Sequence, residues 1–275
     1  MADFTSGFRI ATNIGAMNAY NALNTINQHL NTYELQLATG QRINSAGDDP
    51  AGYTIGTKLQ ARTAGLSQAL TNVGDAQSVL STAEGGLQAI NNILVNIKTL
   101  VTEAGNAGLG SDELGAIVTQ VNDYLNEIGD TINQTNFNGQ ALLNTSFTGE
   151  SFQIGADAGD TLSVSLSTAV DSSHLGLTGL NTANIAAALT SVDNAITTVS
   201  SELQYVGSLE SRLNFKQQVL QTSITNTQAA ESQIMNADVA QAQVNATQLQ
   251  ILEQTAMAQL AQANSMPSTI LKLFP

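Results

Sequence analysis

Leu59, Leu66, Val73, Leu80, Leu87, Leu94 and Val101 lie seven residues apart without a gap. The positions three residues on are Arg62, Ala69, Ala76, Ala83, Ile90, Ile97 and Ala104. A mean step of 3.5 residues keeps one narrow stripe of a helix turned toward a partner helix, and small residues beside it let the partner come close. The spacing predicts a single helix from about Pro50 to Ala104. Its start follows a break at Asn44-Ser-Ala-Gly-Asp-Asp-Pro-Ala-Gly52, where Asp48 and Asp49 are candidate caps and Pro50 suits a first turn that has no use for its missing N–H.

Both ends of the chain carry stripes of the same kind. Near the start these are Ile10, Ile14, Met17, Tyr20, Leu23, Ile26, Leu30, Tyr33 and Leu37; near the finish they are Val239, Ala242, Ala246, Leu249, Leu252, Ala256, Leu260 and Ala263. Neither helix can bury such a stripe alone, so the N- and C-terminal helices are expected to pair, folding the chain back on itself. Eight or nine apolar side chains per helix recover less free energy than ordering about 35 residues costs. Each terminus is therefore expected to be largely disordered in the monomer and to order when neighbours cover it.

Between these ends the pattern changes twice. Gly105 to Gly110 reads as a turn, after which Ser111 or Asp112 is expected to cap a helix with Leu114, Val118, Val121, Leu125, Ile128 and Ile132 on its seam. Phe137-Asn-Gly139 is turn-like. Phe152 and Ile154, the turn Ala156-Asp-Ala-Gly159 and the alternating Leu162, Val164 and Leu166 predict a β-hairpin near residues 150–167, the one strand structure expected. Residues 168–182 form a Ser/Thr/Gly connector. Helix then returns with two seven-residue tracks, Ile185, Val192, Val199, Val206, Leu213, Leu220 and Leu189, Ile196, Leu203, Glu210, Gln217, Ile224, the polar pair in the second resembling residues that set register. This helix is expected to run almost unbroken to Asn264, with Pro267 ending it. The fold class is mainly α: an elongated antiparallel coiled-coil bundle with a small β-hairpin.

Composition narrows the function. Lys and Arg number 8 against 22 Asp and Glu, a net charge of −14 with no basic run. This leaves too little to neutralise phosphates or to hold an anionic membrane surface, so neither nucleic acid nor membrane is an expected partner. No apolar stretch approaches the ~18 residues of a spanning helix, and residues 1–9 lack the basic and apolar regions of a cleaved secretory signal. Cys is absent. His29 and His174 stand alone, Asp48-Asp49 reads as capping and not as a carboxylate pair, and Glu84-Gly85-Gly86 lacks the Lys-Ser/Thr of a phosphate loop. No catalytic, metal or cofactor site is expected.

Several separated strings give the chain a family resemblance. Ala11-Thr-Asn13, Thr39-Gly-Gln-Arg-Ile-Asn-Ser-Ala-Gly-Asp-Asp-Pro-Ala-Gly52, Thr135-Asn-Phe-Asn-Gly139, Phe152-Gln-Ile-Gly-Ala-Asp-Ala-Gly159 and Ile251-Leu-Glu-Gln-Thr-Ala-Met-Ala-Gln-Leu-Ala-Gln-Ala-Asn264 occur in this order and cover nearly the whole length. The chain resembles a bacterial flagellin of minimal form, without large outer variable domains. The resemblance implies a structural, non-enzymatic subunit that polymerises into the flagellar filament and transmits motor torque for swimming, secreted to the extracellular flagellum with its own N-terminal segment uncleaved. It implies an inner coiled-coil domain of residues 1–44 and 236–275 and an outer rod of residues 45–235. Assembly contacts are assigned to Ile14, Met17, Leu23, Ile26, Leu30, Leu37, Val239, Leu249, Leu252 and Leu260, and the family's loop motif to Arg42, Asn44, Asp48, Asp49 and Gly52. A homopolymer, an export chaperone, hook-associated proteins and a cap protein are the implied partners. The alternative is a flagellin-like protein of the hook–filament junction.

Some features depart from the family pattern or add to it. The residues before Ile10 form a short extension. Where flagellins that trigger the animal flagellin receptor carry Gln-Arg-x-Arg-Glu-Leu, this chain has Val95-Asn-Ile-Lys-Thr-Leu100, so Val95, Asn96 and Thr99 replace a glutamine, the leading arginine and a glutamate. Serines and threonines between Thr161 and Thr178 are candidates for O-glycosylation, as on outward-facing parts of flagellins.

Overall fold

A computed structural model describes residues 12–144, 147, 149–166, 170, 175–177 and 184–271. Its helices are α1 (Ile14–Thr39), α2 (Pro50–Ala104), α3 (Ser111–Gln134), α4 (Ile185–Met235) and α5 (Val239–Leu271). Its strands are β1 (Asn136–Phe137), β2 (Gln140–Ala141), β3 (Glu150–Gln153) and β4 (Thr161–Val164). Ile10 and the extension before it, His174 and most of the 168–182 connector lie outside the described residues. The chain forms two compact units, residues 62–226 and residues 1–61 with 227–275.

The 62–226 unit is built on the α2 heptad. From Leu66 to Val101 every seam residue is buried, as are the companions Ala69, Ala76, Ala83, Ile90, Ile97 and Ala104. Arg62, the one charged companion, is exposed and pairs with Asp157 at 3.6 Å. On α4 the first track from Val192 to Leu220 is buried, but its partners are Ala188, Ala195 and Leu209. The expected second track is half-buried throughout. Glu210 and Gln217 therefore flank the seam and do not interrupt it.

Burial holds the Glu210 carboxyl above its ordinary pKa, and Glu84 of α2 adds to the effect. A raised folded-state pKa means that the ionised side chain destabilises the fold at neutral pH, and that this penalty disappears as pH falls through the raised pKa and below the ordinary 4.5. Glu210→Gln is thus expected to raise the melting temperature at pH 7 and to leave it nearly unchanged below pH ~4. Melts followed by circular dichroism across this range check both halves.

α3 buries Ile117, Val121, Ile128 and Ile132. Its N-cap is Gly110, without a side-chain cap, so neither Ser111 nor Asp112 caps it. Asp112 and Glu113 sit in the first turn instead, where their charge favours the N-terminal dipole. The expected hairpin is β3 with antiparallel β4, Phe152 opposite Leu162, and Leu162, Val164 and Leu166 buried. Asn72 of α2 ties it down by donating to Gln153 O at 2.9 Å.

A second hairpin, β1 with β2, was not expected. It turns at Asn138 and Gly139, both at positive φ (51° and 80°), as a two-residue type I′ loop requires. Beside it α2 comes close: a Cβ on Gly86 would overlap the Thr135 side chain and Leu143. Of the glycine pair, Gly86 thus serves close packing, whereas a Cβ on Gly85 would meet open space.

In the other unit α1 and α5 pack antiparallel, Asn13 meeting Ala263 and Gly40 meeting Ala237. Two expectations about the last helix fail. It is broken at 236–238: Ala237 N donates to Gly40 O at 2.9 Å, Gln41 bridges Asn236, and Asp238 Oδ1 accepts Gln241 N to start α5 anew. Pro267 does not end α5, whose backbone stays helical to Leu271. Proline there leaves the carbonyl four residues earlier, that of Ala263, without a helical donor. The Asn13 side chain supplies one at 2.7 Å, while its own Oδ1 caps α1 by accepting Ala16 N at 3.0 Å.

Candidate assembly site

The loop from Gly40 to Asp49 holds the end of α4. Arg42 Nη2 donates to Ile234 O at 2.9 Å, and Arg42 N and Ile43 N donate to Met235 O at 2.6 and 3.4 Å. These are carbonyls at a helix C-terminus, which lack intrahelical donors. The loop is held in turn by Asp48, whose Oδ2 accepts from Asn44 N, Ser45 N and Ser45 Oγ. The backbone donors at Ser45 and Asn44 pull the Asp48 carboxyl below its ordinary pKa.

Of the two candidate caps, Asp49 alone caps α2, accepting Ala51 N at 3.1 Å and Gly52 N at 2.9 Å. Ile43 is buried beneath the loop, and a Cβ on Gly52 would lie 2.6 Å from its Cδ1. Arg42, Asn44, Asp48, Asp49 and Gly52 thus form one connected turn. Its chemistry is backbone satisfaction, with no group aimed at a ligand.

The terminal stripes present the opposite picture. Among the expected assembly residues Leu30 is buried, Leu23, Ile26, Leu37, Leu249 and Leu260 are half-buried, and Ile14, Met17, Val239 and Leu252 are exposed. The α1–α5 contact is closed mainly by the small Ala242, Ala246 and Ala256. A second apolar stripe, not anticipated, lies on α5 at Val244 and Ile251, each 60% exposed and seven residues apart. With Thr247 and Leu252 they line a shallow, mainly apolar groove of about 430 Å³. Polarity around it comes from amides: between Val239 and Asn264 the one charged residue is Glu253, while glutamines occur at 241, 243, 248, 250, 254, 259 and 262.

On α2, Val95, Asn96 and Thr99 form an exposed patch, Thr99 Oγ1 donating to Val95 O. Lys98 between them is paired with Asp193 of α4 at 2.6 Å. Among the described residues no cluster of His, Cys, Asp and Glu has metal-binding geometry, and no helix is long and apolar enough to cross a membrane.

Comparison with known proteins agrees with this architecture. Residues 10–148 match the family model for the bacterial flagellin N-terminal helical region, and residues 189–274 match that for the C-terminal helical region. The flagellin of Halalkalibacterium halodurans is 34% identical, over 95% of this chain and 97% of its own. That of Bacillus subtilis is also 34% identical, over 96% of this chain and 99% of its own. Among solved structures, a putative flagellar hook-associated protein from Vibrio parahaemolyticus aligns at a TM-score of 0.58, covering 69% of this chain and all of that one; at 15% identity this likeness concerns the fold alone.

Proposed function

This chain belongs to the bacterial flagellins, and from that membership we propose how its parts divide the work of a filament. It is a structural subunit that polymerises into the flagellar filament, and its place is the extracellular flagellum. In the proposed division, residues 1–44 and 236–275 form the inner layer of subunit contacts and residues 45–235 the outer one. The observation that supports it is the exposure of large apolar residues on both terminal helices: Ile14, Met17 and Tyr20 on α1, Val244, Ile251 and Leu252 on α5. Water is a poor neighbour for these side chains, and burying each one against another subunit gains roughly 1.5–3 kcal/mol.

The assembly residues are then Ile14, Met17, Leu23, Ile26, Leu30, Leu37, Val239, Leu249, Leu252 and Leu260, joined by Val244 and Ile251. Before export a chaperone holds the C-terminal region, and hook-associated and cap proteins bound the filament. Through this polymer the motor's torque reaches the water.

Purified protein brought to high precipitant concentration is expected to grow long filaments visible by electron microscopy. A protein of the hook–filament junction would form short rings or none, and that outcome would overturn the filament reading.

A further inference from the structure

Within the 62–226 unit, the face of α4 turned away from its buried seam carries Arg212, Phe215 and Val219 at i, i+3 and i+7, with Lys216 beside them. Phe215 is 69% exposed and Val219 57%. Cations are scarce in this chain, 8 against 22 acids. Of those in this unit, Arg62 and Lys98 are already paired with aspartates. The two remaining cations of the unit, the exposed Arg212 and the half-buried Lys216, therefore flank one exposed phenylalanine, forming a positive, apolar ridge.

The same unit has a surface of opposite shape and sign. A cleft of about 500 Å³ opens where α2 meets the two hairpins, lined by Asp75 and Val79 of α2, by Phe137, Phe147 and Phe152, and by Glu150. Asp75 and Glu150 are exposed, and Glu150 accepts a long 3.5 Å bond from Gln140. The lining comes from α2 and residues 137–152, so the cleft and the α4 ridge are separate surfaces.

We propose that the Arg212–Phe215–Val219 ridge of one subunit seats in the Asp75–Glu150 cleft of a second copy of this chain. The proposal rests on the filament reading and deepens it by naming a contact outside the terminal helices. Two different, complementary patches on one molecule join head to tail, and such a contact builds an open helical polymer where its rotation does not close into a ring. Phe215 enters the aromatic floor, and the two cations meet the two carboxylates at the rim, where complementary charge selects partner and register.

Charge exchange tests it on the full chain. Arg212→Glu with Lys216→Glu is expected to raise the critical concentration for polymerisation about tenfold or more, as is Asp75→Lys with Glu150→Lys, because each sets like charges face to face. Phe215→Ala, at a side chain that can be removed without opening the core, should raise it as well. Mixing the two exchanged proteins is expected to restore polymerisation, and so is uniting all four exchanges in one chain. If the exchanged proteins polymerise like the unaltered one, the cleft serves another partner or none and the proposal is overturned. If each fails and neither the mixture nor the fourfold chain recovers, ridge and cleft do not meet, and it is overturned again. Failure of the unaltered chain to polymerise overturns the filament reading itself, and the proposal with it.

Discussion

A chain reduced to residues 45–235 is expected to remain helical, soluble and monomeric, and to form no filaments at any precipitant concentration that polymerises the whole protein. The core that runs from Leu66 of α2 through α3 and the hairpins to Leu220 of α4 lies entirely within this span. What is removed is α1 and α5, whose large apolar residues are the most exposed in the terminal unit. Circular dichroism and analytical ultracentrifugation measure the first part of the expectation, electron microscopy the second. Filaments grown from the shortened chain would show that the terminal stripes are not the principal assembly contacts.

The long α2 helix and its buried face were legible because a heptad is local: each seam residue announces the next, and the helix needs no distant partner to declare its face. The break at 236–238 was not legible, because it is made by residues 40–42 bonding to residues 234–237 from far along the chain. Through Val239 to Asn264 the local pattern is uninterrupted helix. Pro267 misled for the same reason, since the donor that compensates it belongs to Asn13. β1 and β2 are two residues each, too short to alternate, and only the Asn138-Gly139 pair marked them. On α4 and α5 the difficulty was different. Seven-residue spacing occurs on two adjacent faces of each helix, and which face is covered depends on the neighbour. Ala188 with Leu209 therefore displaced the Leu189 track, and Val244 with Ile251 went unnoticed.

The second large effect expected is in immune recognition. Activation of the animal flagellin receptor by monomeric protein is expected to be weak or absent in a reporter-cell assay. The position of the leading arginine in the activating motif holds Asn96, exposed on α2, and an amide cannot supply the fixed charge and five donors of a guanidinium. The second cation of the motif falls on Lys98, which is engaged by Asp193 at 2.6 Å. Losing a charge-assisted contact at an interface centre costs about 2–4 kcal/mol, roughly 30- to 800-fold in affinity. Val95→Gln, Asn96→Arg and Thr99→Glu together are expected to restore activation, all three lying on solvent-facing positions that leave the α2 seam untouched. Strong activation by the unaltered protein would contradict this.

The bond from Asn13 to Ala263 joins points 250 residues apart. Closing a loop of that length carries an entropic cost of about 5 kcal/mol, and both of its ends must be in the same place at once. A chain delivered lengthwise, one end ahead of the other, therefore cannot close the α1–α5 pair until the trailing end arrives. For a chain so delivered, the terminal unit is the part of the fold whose closure waits on the whole length.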